Sequence, residues 1–427
     1  MKIQKNLLYQ VDENQIVSEM ISCMNHRKAY EKEMESRLQN VIGALLRHGT
    51  SKGYSGNLWK CFLAEQIVMD TNPYALACEK KGEVTGTLNA VALYDIEMIY
   101  SYFMYDFTYF SEVYPDLPID LLCNFTKDEY VLTGNYKDVQ QVVETLCFEM
   151  QQTSSPKEMK EVITAFYKKV GVGIFGLYKA FRLNDYENKG IFLLPIQNVE
   201  TVQLDDLVGY EIAKNKLIAN TEAFINGRPA NNCLLFGDAG TGKSSSVKGI
   251  LNAYFKDGLR IVEIYKHQFK HLNDLMEMLK DRNYRFIIYM DDLSFEDYEI
   301  EYKYLKGVIE GGLACKADNI LIYATSNRRH LIRENYSDKE EFREDMHTTE
   351  TVQEKLSLVA RFGVSIFFCR PNRKEFAKIV TTLAKRYHIS MQEDKLLYEA
   401  NQWELSHGGL SGRTAKQFID YIRGENK

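Results

Sequence analysis

Gly237-Asp238-Ala239-Gly240-Thr241-Gly242-Lys243-Ser244 constrains this chain more than any other stretch. It fits the pattern G-x-x-x-x-G-K-[ST]. Its flanks fit as well: an apolar run at 232–236 precedes it, and a helix-compatible run at 245–255 follows. Strand, glycine-rich loop and helix is the order a phosphate cradle needs. Glycines let backbone N–H groups turn toward one point, and a helix N-terminus adds partial positive charge. In such a cradle Lys243 reaches the β- and γ-phosphates and Ser244 holds Mg2+, with Ser245 in the same binding segment. A chance glycine-rich turn is the plain alternative, and the flanking runs argue against it.

At 427 residues, two or three domains of about 150 residues are expected. The 45% hydrophobic and 26% charged content is that of an ordinary soluble globular chain, so no fibrous or disordered class is called for. Residues 1–10 carry no apolar core or small-residue cleavage site of a secretory signal. The most apolar span, 91–110, contains Asp95, Glu97 and Asp106, which argues against a membrane helix. Eight scattered cysteines form no C-x-x-C, which disfavours structural disulfides and a zinc site. A reducing cytoplasm is the expected compartment. Residues 1–200 hold 20 Lys+Arg against 26 Asp+Glu, while 201–427 hold 33 of each. No broad basic surface follows, so nucleic acid is not favoured as a partner, although a local patch stays open.

Residues 1–195 read as a mainly helical N-terminal domain. Apolar spacing over 14–47, as in Ile16, Met20 and Met24, is close to helical, and 137–150 and 156–169 look like two further helices, the second opened by Pro156. Nine aromatics at 94–114 suit a buried or interfacial helix better than a ligand groove. The glycines at 171–176 read as a turn between packed elements. From Leu207 strands and helices alternate, with candidate strands at 232–236, 260–265, 285–289, 319–324 and 364–368. The fold expected is α/β: a doubly wound parallel five-stranded P-loop sheet over 205–370, with a helical lid over 371–427. The charged stretch 334–354 has no metal-ligand spacing and reads as an exposed insertion.

The third candidate strand ends in Asp291-Asp292. An apolar strand that delivers a carboxylate beside a phosphate loop is a Walker B arrangement. Asp291 would hold the metal through water, and Asp292 would orient the attacking water. Glu296 is the second candidate base, and a turn or cap made by Asp292 is the structural alternative. The fourth strand runs into Asn327, an amide placed to position water, with a plain turn residue as the alternative. No N-K-x-D follows, which favours adenine over guanine. Before the fifth strand stands Arg361, directed away from its own site and suited to a neighbour's γ-phosphate. Ser411-Gly412-Arg413 puts a second arginine at a helix start, where it can fold over its own subunit's phosphates. Either arginine alone is more often a solvated surface residue; their order and context favour the functional roles.

Val208-Gly209-Tyr210, the Gly237–Ser244 loop, Asp291-Asp292, Asn327, Arg361 and Gly412-Arg413 come in the order of box II, Walker A, Walker B, sensor 1, arginine finger and sensor 2. Over 205–427 the chain therefore resembles AAA+ ATPases. More narrowly, Asn220-Thr221-Glu222, Gly227-Arg228-Pro229-Ala230-Asn231-Asn232, the run after Asp291 and Glu310-Gly311-Gly312-Leu313 look like a bacterial family of predicted AAA+ ATP-binding proteins catalogued as a domain of unknown function. The resemblance implies ATP and Mg2+ as cofactors, assembly into homo-oligomeric rings and remodelling or loading of a protein client. Most AAA+ members carry Asp-Glu where this chain has Asp-Asp, which bears on turnover more than on binding. Residues 266–270 lack an aromatic–apolar–glycine pore loop, so polypeptide threading is not favoured. The rival readings are a slow ATP-controlled switch or adaptor, a loader-type helper in DNA replication or transposition, and a phosphotransferase that shares the P-loop.

Overall fold

The computed structural model of the protein describes residues 5–25, 31–127, 137–186, 190–296, 299–310, 317–327, 331 and 358–425. The expected insertion at 334–354 and residues 311–313 of the family motif lie outside the described residues. The chain divides into two units, Met1–Tyr178 and Lys179–Lys427.

The first unit is built from α1 (Gln15–Asn25), α2 (Glu31–Lys52), α3 (Leu58–Met69), α4 (Pro73–Lys81), α5 (Thr87–Phe103), α6 (Thr108–Val113), α7 (Ile119–Cys123), α8 (Lys137–Gln151), α9 (Pro156–Lys169) and α10 (Ile174–Leu177). Local chemistry sets several of their starts. The side chains of Asn57, Asn72 and Ser155 accept the N–H of Lys60, Ala75 and Glu158, and Pro73 and Pro156 occupy first-turn positions where no donor is lost. Helix α3 has apolar residues on all its sides, and Trp59, Leu63, Ile67 and Val68 are all fully buried. Such a helix belongs at the centre of a core. The aromatic run also goes inward: Phe103, Phe107, Phe110 and Tyr114 are buried in that core. Asp95 is fully buried too, where it accepts the backbone N–H groups of Leu7, Leu8 and Tyr9 at 2.7–3.0 Å. Those bonds offset the cost of placing a carboxylate in an apolar interior.

In the second unit, β1 (Ala180–Tyr186), β2 (Gly190–Pro195), β3 (Cys233–Gly237), β4 (Leu259–Glu263), β5 (Arg285–Met290), β6 (Ile320–Ser326) and β7 (Val364–Phe368) make one sheet. Its order is β2-β1-β4-β5-β6-β3-β7. The five expected parallel strands are β3 to β7, and the sheet is wider than five. Strands β1 and β2 form an antiparallel hairpin that extends it, with β1 parallel to β4 and Ala180 level with Ile261. This corrects the reading of 180–195 as part of the helical domain. The hairpin's sheet partner lies some 80 residues on in the chain, so no local signal joins them.

The inner strands are buried on both faces and read as continuous apolar runs, as parallel strands covered by helices do. Strand β3 lies between β6 and β7. The chain leaves β3, runs out to β4, returns through β5 and β6, and then crosses to β7 on the far side. That reversal makes the carboxyl end of β3 a switch point, where open α/β sheets hold ligands. Helices α11 (Glu211–Ile225), α12 (Lys243–Tyr254), α13 (Leu272–Lys280) and α14 (Glu301–Glu310) fill the connections. After Pro371 come α15 (Arg373–Arg386), α16 (Glu393–Ser406) and α17 (Gly412–Glu425), which share a separate core of Phe376, Ile379, Val380, Leu396, Phe418 and Ile419. Asn372 and Glu375 close a capping box at the start of α15, with bonds of 3.0 and 2.8 Å.

Candidate functional site

The loop from β3 into α12 is shaped by glycines in backbone conformations that larger residues adopt only under strain. At Gly237 φ is 134°, and a β-carbon there would lie 2.1 Å from the Phe368 carbonyl oxygen. At Gly240 φ is 75°, and a β-carbon would press on Ser411 Oγ at 3.0 Å and Arg413 Cβ at 3.1 Å. Gly242 caps α12 with no side-chain hydrogen bond, so the first-turn N–H groups are not taken up by a capping side chain.

Lys243 is buried, and its Nζ donates to the carbonyls of Gly237 and Asp238 at 2.8 and 2.6 Å and to Asn327 Oδ1 at 2.9 Å. Burial pulls its pKa below the usual lysine value, against the opposing charges of Asp238, Asp292 and Asp291. The other end of Asn327 donates from Nδ2 to Asp292 Oδ1 at 2.7 Å. Lysine only donates and carboxylate only accepts, so the Asn327 amide has one orientation that satisfies both.

Asp291 follows the last residue of β5. Its Oδ1 accepts from Ser244 Oγ at 2.7 Å, Tyr289 OH at 2.7 Å and Thr325 Oγ1 at 2.5 Å. The strand period of two puts Tyr289 on the same face as Asp291. Pairing of Met290 with Ala324 brings Thr325 level with it across the ladder. Burial would raise the Asp291 carboxyl, but the donors Thr325, Tyr289 and Ser244 outweigh that and hold it below the usual range. Thr325 Oγ1 also accepts the N–H of Asp292 at 2.9 Å. Asp292 itself sits at φ 49°, a left-handed conformation that an aspartate tolerates better than most residues.

The lid reaches the same loop. The N–H of Arg413 donates to the Gly240 carbonyl at 3.1 Å, and its charge is among those that depress Lys243. The N–H of Arg370 donates to Asp238 Oδ2 at 3.1 Å. Val208 packs on the lid core, and Gly209, at φ 86°, faces Ile379. Lys214 holds this turn by donating to the Leu207 carbonyl at 2.7 Å. Burial raises Tyr210 to about 12, while the backbone N–H of Gly412 acts the other way.

The structure thus brings Asp238, Gly240, Gly242, Lys243, Ser244, Asp291, Asp292, Asn327 and Arg413 to one place. Glu296 lies beyond the buried Phe295, with its N–H on the Glu299 carboxylate at 2.8 Å, and it is Asp292 that meets Asn327. Arg361 is not brought in. It precedes the amino end of β7, whereas the loop meets the carboxyl end, where the Asp238 N–H donates to the Phe368 carbonyl. The five residues of β7 span about 16 Å at roughly 3.3 Å per residue. Tyr289, Thr325 and Lys214 escape the sequence reading. Tyr289 has a legible signal, two residues before a strand-end aspartate, but Thr325 needs the register of β5 on β6.

The donor set suits a magnesium–nucleotide complex. A hydroxyl and an ionised carboxylate are hard oxygen donors, and a helix N-terminus without a capping side chain, beside a lysine, suits phosphate. Among the described residues no group of three His, Cys, Asp or Glu could hold a metal by itself, and no helix is long and apolar enough to cross a membrane.

A family profile described as "Protein of unknown function (DUF815)" matches residues 177–426. No curated protein matches the chain. Among solved structures, a RuvB variant from Thermotoga maritima is similar at 16% identity, 53% coverage of this chain and 66% of that one, with a TM-score of 0.36. AMPPCP-bound DnaA from Aquifex aeolicus is similar at 18% identity, 53% and 66% coverage, and a TM-score of 0.36. The chain therefore spans just under two thirds of either neighbour's length, and neither decides what it does.

Proposed function

This chain belongs to the DUF815 family, and from that premise we propose that it is an AAA+ ATPase, which binds and hydrolyses ATP at a boundary between subunits to remodel or load a protein partner. The observation that carries the reading is the bonded relay Lys243–Asn327–Asp292 beside the Ser244–Asp291 pair, at the carboxyl ends of β3, β5 and β6. Lys243 and the N–H groups of the loop bind phosphate. Ser244 and Asp291 would hold Mg2+, which when bound neutralises charge on the β- and γ-phosphates. Asn327 and Asp292 orient the attacking water, and Asp292 accepts its proton. Arg413 adds positive charge from the lid of the same subunit, and Arg361 adds it from a neighbour. Val208 and Gly209, against Ile379, offer an apolar edge to the base.

A second reading, a slow ATP-controlled switch, is favoured by Asp292. Its side chain is one methylene shorter than glutamate, and Oδ1 is already engaged by Asn327. Single-turnover and steady-state ATP hydrolysis separate the two readings. The phosphate site is tested by Lys243→Ala, for which ATP affinity should be lost while the melting temperature without nucleotide stays near wild type. Wild-type affinity in that variant would remove the P-loop from the mechanism.

A further inference from the structure

The motif around Asn220 and Asn231 takes no part in the phosphate site, yet it is tightly built. Asn220 on α11 donates from Nδ2 to the Asn231 carbonyl at 2.8 Å and accepts the Asn231 N–H at 3.1 Å. The same Nδ2 lies 3.1 Å from the hydroxyl of Tyr323, which is fully buried on β6. The next residue, Asn232, accepts the Ile322 N–H at 2.8 Å through its side chain and the Val364 N–H at 3.2 Å through its backbone. The turn before β3 is therefore fastened to both neighbouring strands, at Ile322 within β6 and at Val364, the first residue of β7.

That turn bears directly on the segment that carries Arg361. Gly363 has φ 72°, and a β-carbon placed there would lie 2.8 Å from Asn231 Oδ1 and 3.0 Å from Asn231 Cβ. Phe362 is fully buried and donates its N–H to the Val359 carbonyl at 3.2 Å. Arg361 thus occupies the corner of a turn. On its carboxyl side stand a buried aromatic anchor and a left-handed glycine seated on Asn231. A long side chain delivered across a subunit boundary needs its Cα placed accurately, because the remaining torsions are its only freedom.

We propose that Asn231, held by Asn220 and seated on Gly363, is a positioning residue that presents Arg361 to the nucleotide site of a neighbouring copy. The proposal rests on Arg361 acting in trans. A substitution at Asn231 should impair a subunit as a donor of arginine while leaving its own phosphate loop intact, since that loop lies at the opposite end of β3 and β7.

The test uses full-length Asn231→Ala beside Arg361→Ala, each assayed alone and mixed with Lys243→Ala. The Lys243→Ala copy lacks its own phosphate-binding lysine but carries an intact Arg361. Both variants should bind ATP like wild type and turn it over more slowly, Asn231→Ala by about tenfold to a hundredfold. Both should recover on mixing, because a complete Lys243–Asp292 site then faces an intact arginine. Gly363→Ala, which places a methyl against Asn231 in a strained backbone, should behave as Asn231→Ala does. Normal turnover of Asn231→Ala overturns the proposal. So does a loss that mixing fails to restore when it restores Arg361→Ala, and so does lost ATP affinity in both Asn231→Ala and Gly363→Ala. Wild-type turnover of Arg361→Ala removes the trans reading and the positioning role of Asn231 together, whereas a defective Arg361→Ala beside a normal Asn231→Ala removes the positioning role alone.

Discussion

Three hydroxyl donors converge on one oxygen of Asp291, and two of them, Tyr289 and Thr325, are buried and unable to turn elsewhere at low cost. The bonds favour the ionised carboxylate and so hold its pKa below the ordinary value. A depressed folded pKa contributes stability that is fully present above the unfolded value of about 4 and lost as pH falls through the folded value. Thr325→Val should narrow that difference, so the variant should lose less stability than wild type between neutral and acid pH. It should also be less stable at neutral pH by about 1–3 kcal/mol, because the Asp292 N–H loses its acceptor. Denaturant melts at pH 7 and at pH 2, below the ordinary aspartate value, measure both effects, and parallel losses at the two values would contradict the account. The two acids should also separate functionally. Asp291→Asn should weaken Mg2+-dependent ATP binding. Asp292→Asn should keep binding and slow turnover by about 10²–10⁴-fold. If Glu296→Gln slows turnover while Asp292→Asn does not, the base is Glu296.

At the scale of elements, the phosphate loop is wedged between strand ends and lid. Asp238 meets the backbone of Arg370 just before the lid, and Gly240 meets Arg413 at the start of α17. Any rearrangement of the loop is therefore felt on both sides of the Arg370-Pro371 junction. The lid's own stability is set separately, by its three-helix core and the capping box at Asn372. Asn372→Ala should cost about 1 kcal/mol. Amide exchange should quicken in α15 while β3 to β6 keep their protection. Gly237→Ala is a harsher test of the strand–loop junction, since the new methyl meets a backbone oxygen that belongs to β7. It should destabilise the second unit and weaken ATP binding together, and a variant with wild-type melting and affinity would refute the close packing described.

For the whole molecule, the decisive question is whether one chain holds a complete site. Lys243, Asp292, Asn327 and Arg413 come from a single copy, whereas Arg361 stands at the other end of the sheet. Turnover should therefore rise with protein concentration, and Arg361→Ala should lower it by a factor on the order of 10³ while ATP still binds. Sedimentation with and without ATP, alongside a dilution series of the rate, checks both; full activity of dilute monomer would leave a self-contained enzyme. How much of this could be read beforehand depends on the range of each interaction. The glycine loop, Lys243, Ser244, the paired aspartates and Asn327 are legible because each is a local pattern: consecutive residues, or a polar residue where an apolar run stops. Burial of the aromatics near Phe103 and Phe110 follows from their area alone. The pairing of β1 with β4, the contact of Thr325 with Asp291 and the seat of Gly363 on Asn231 are not local. Each joins residues tens of positions apart, and a one-residue change of register would send the side chains to the opposite face. Residue order thus determines the chemistry available at the carboxyl ends of the strands. Only the assembled sheet decides which of those groups meet, because hydrogen bonds and packing act over a few ångströms in space with no regard to distance along the chain.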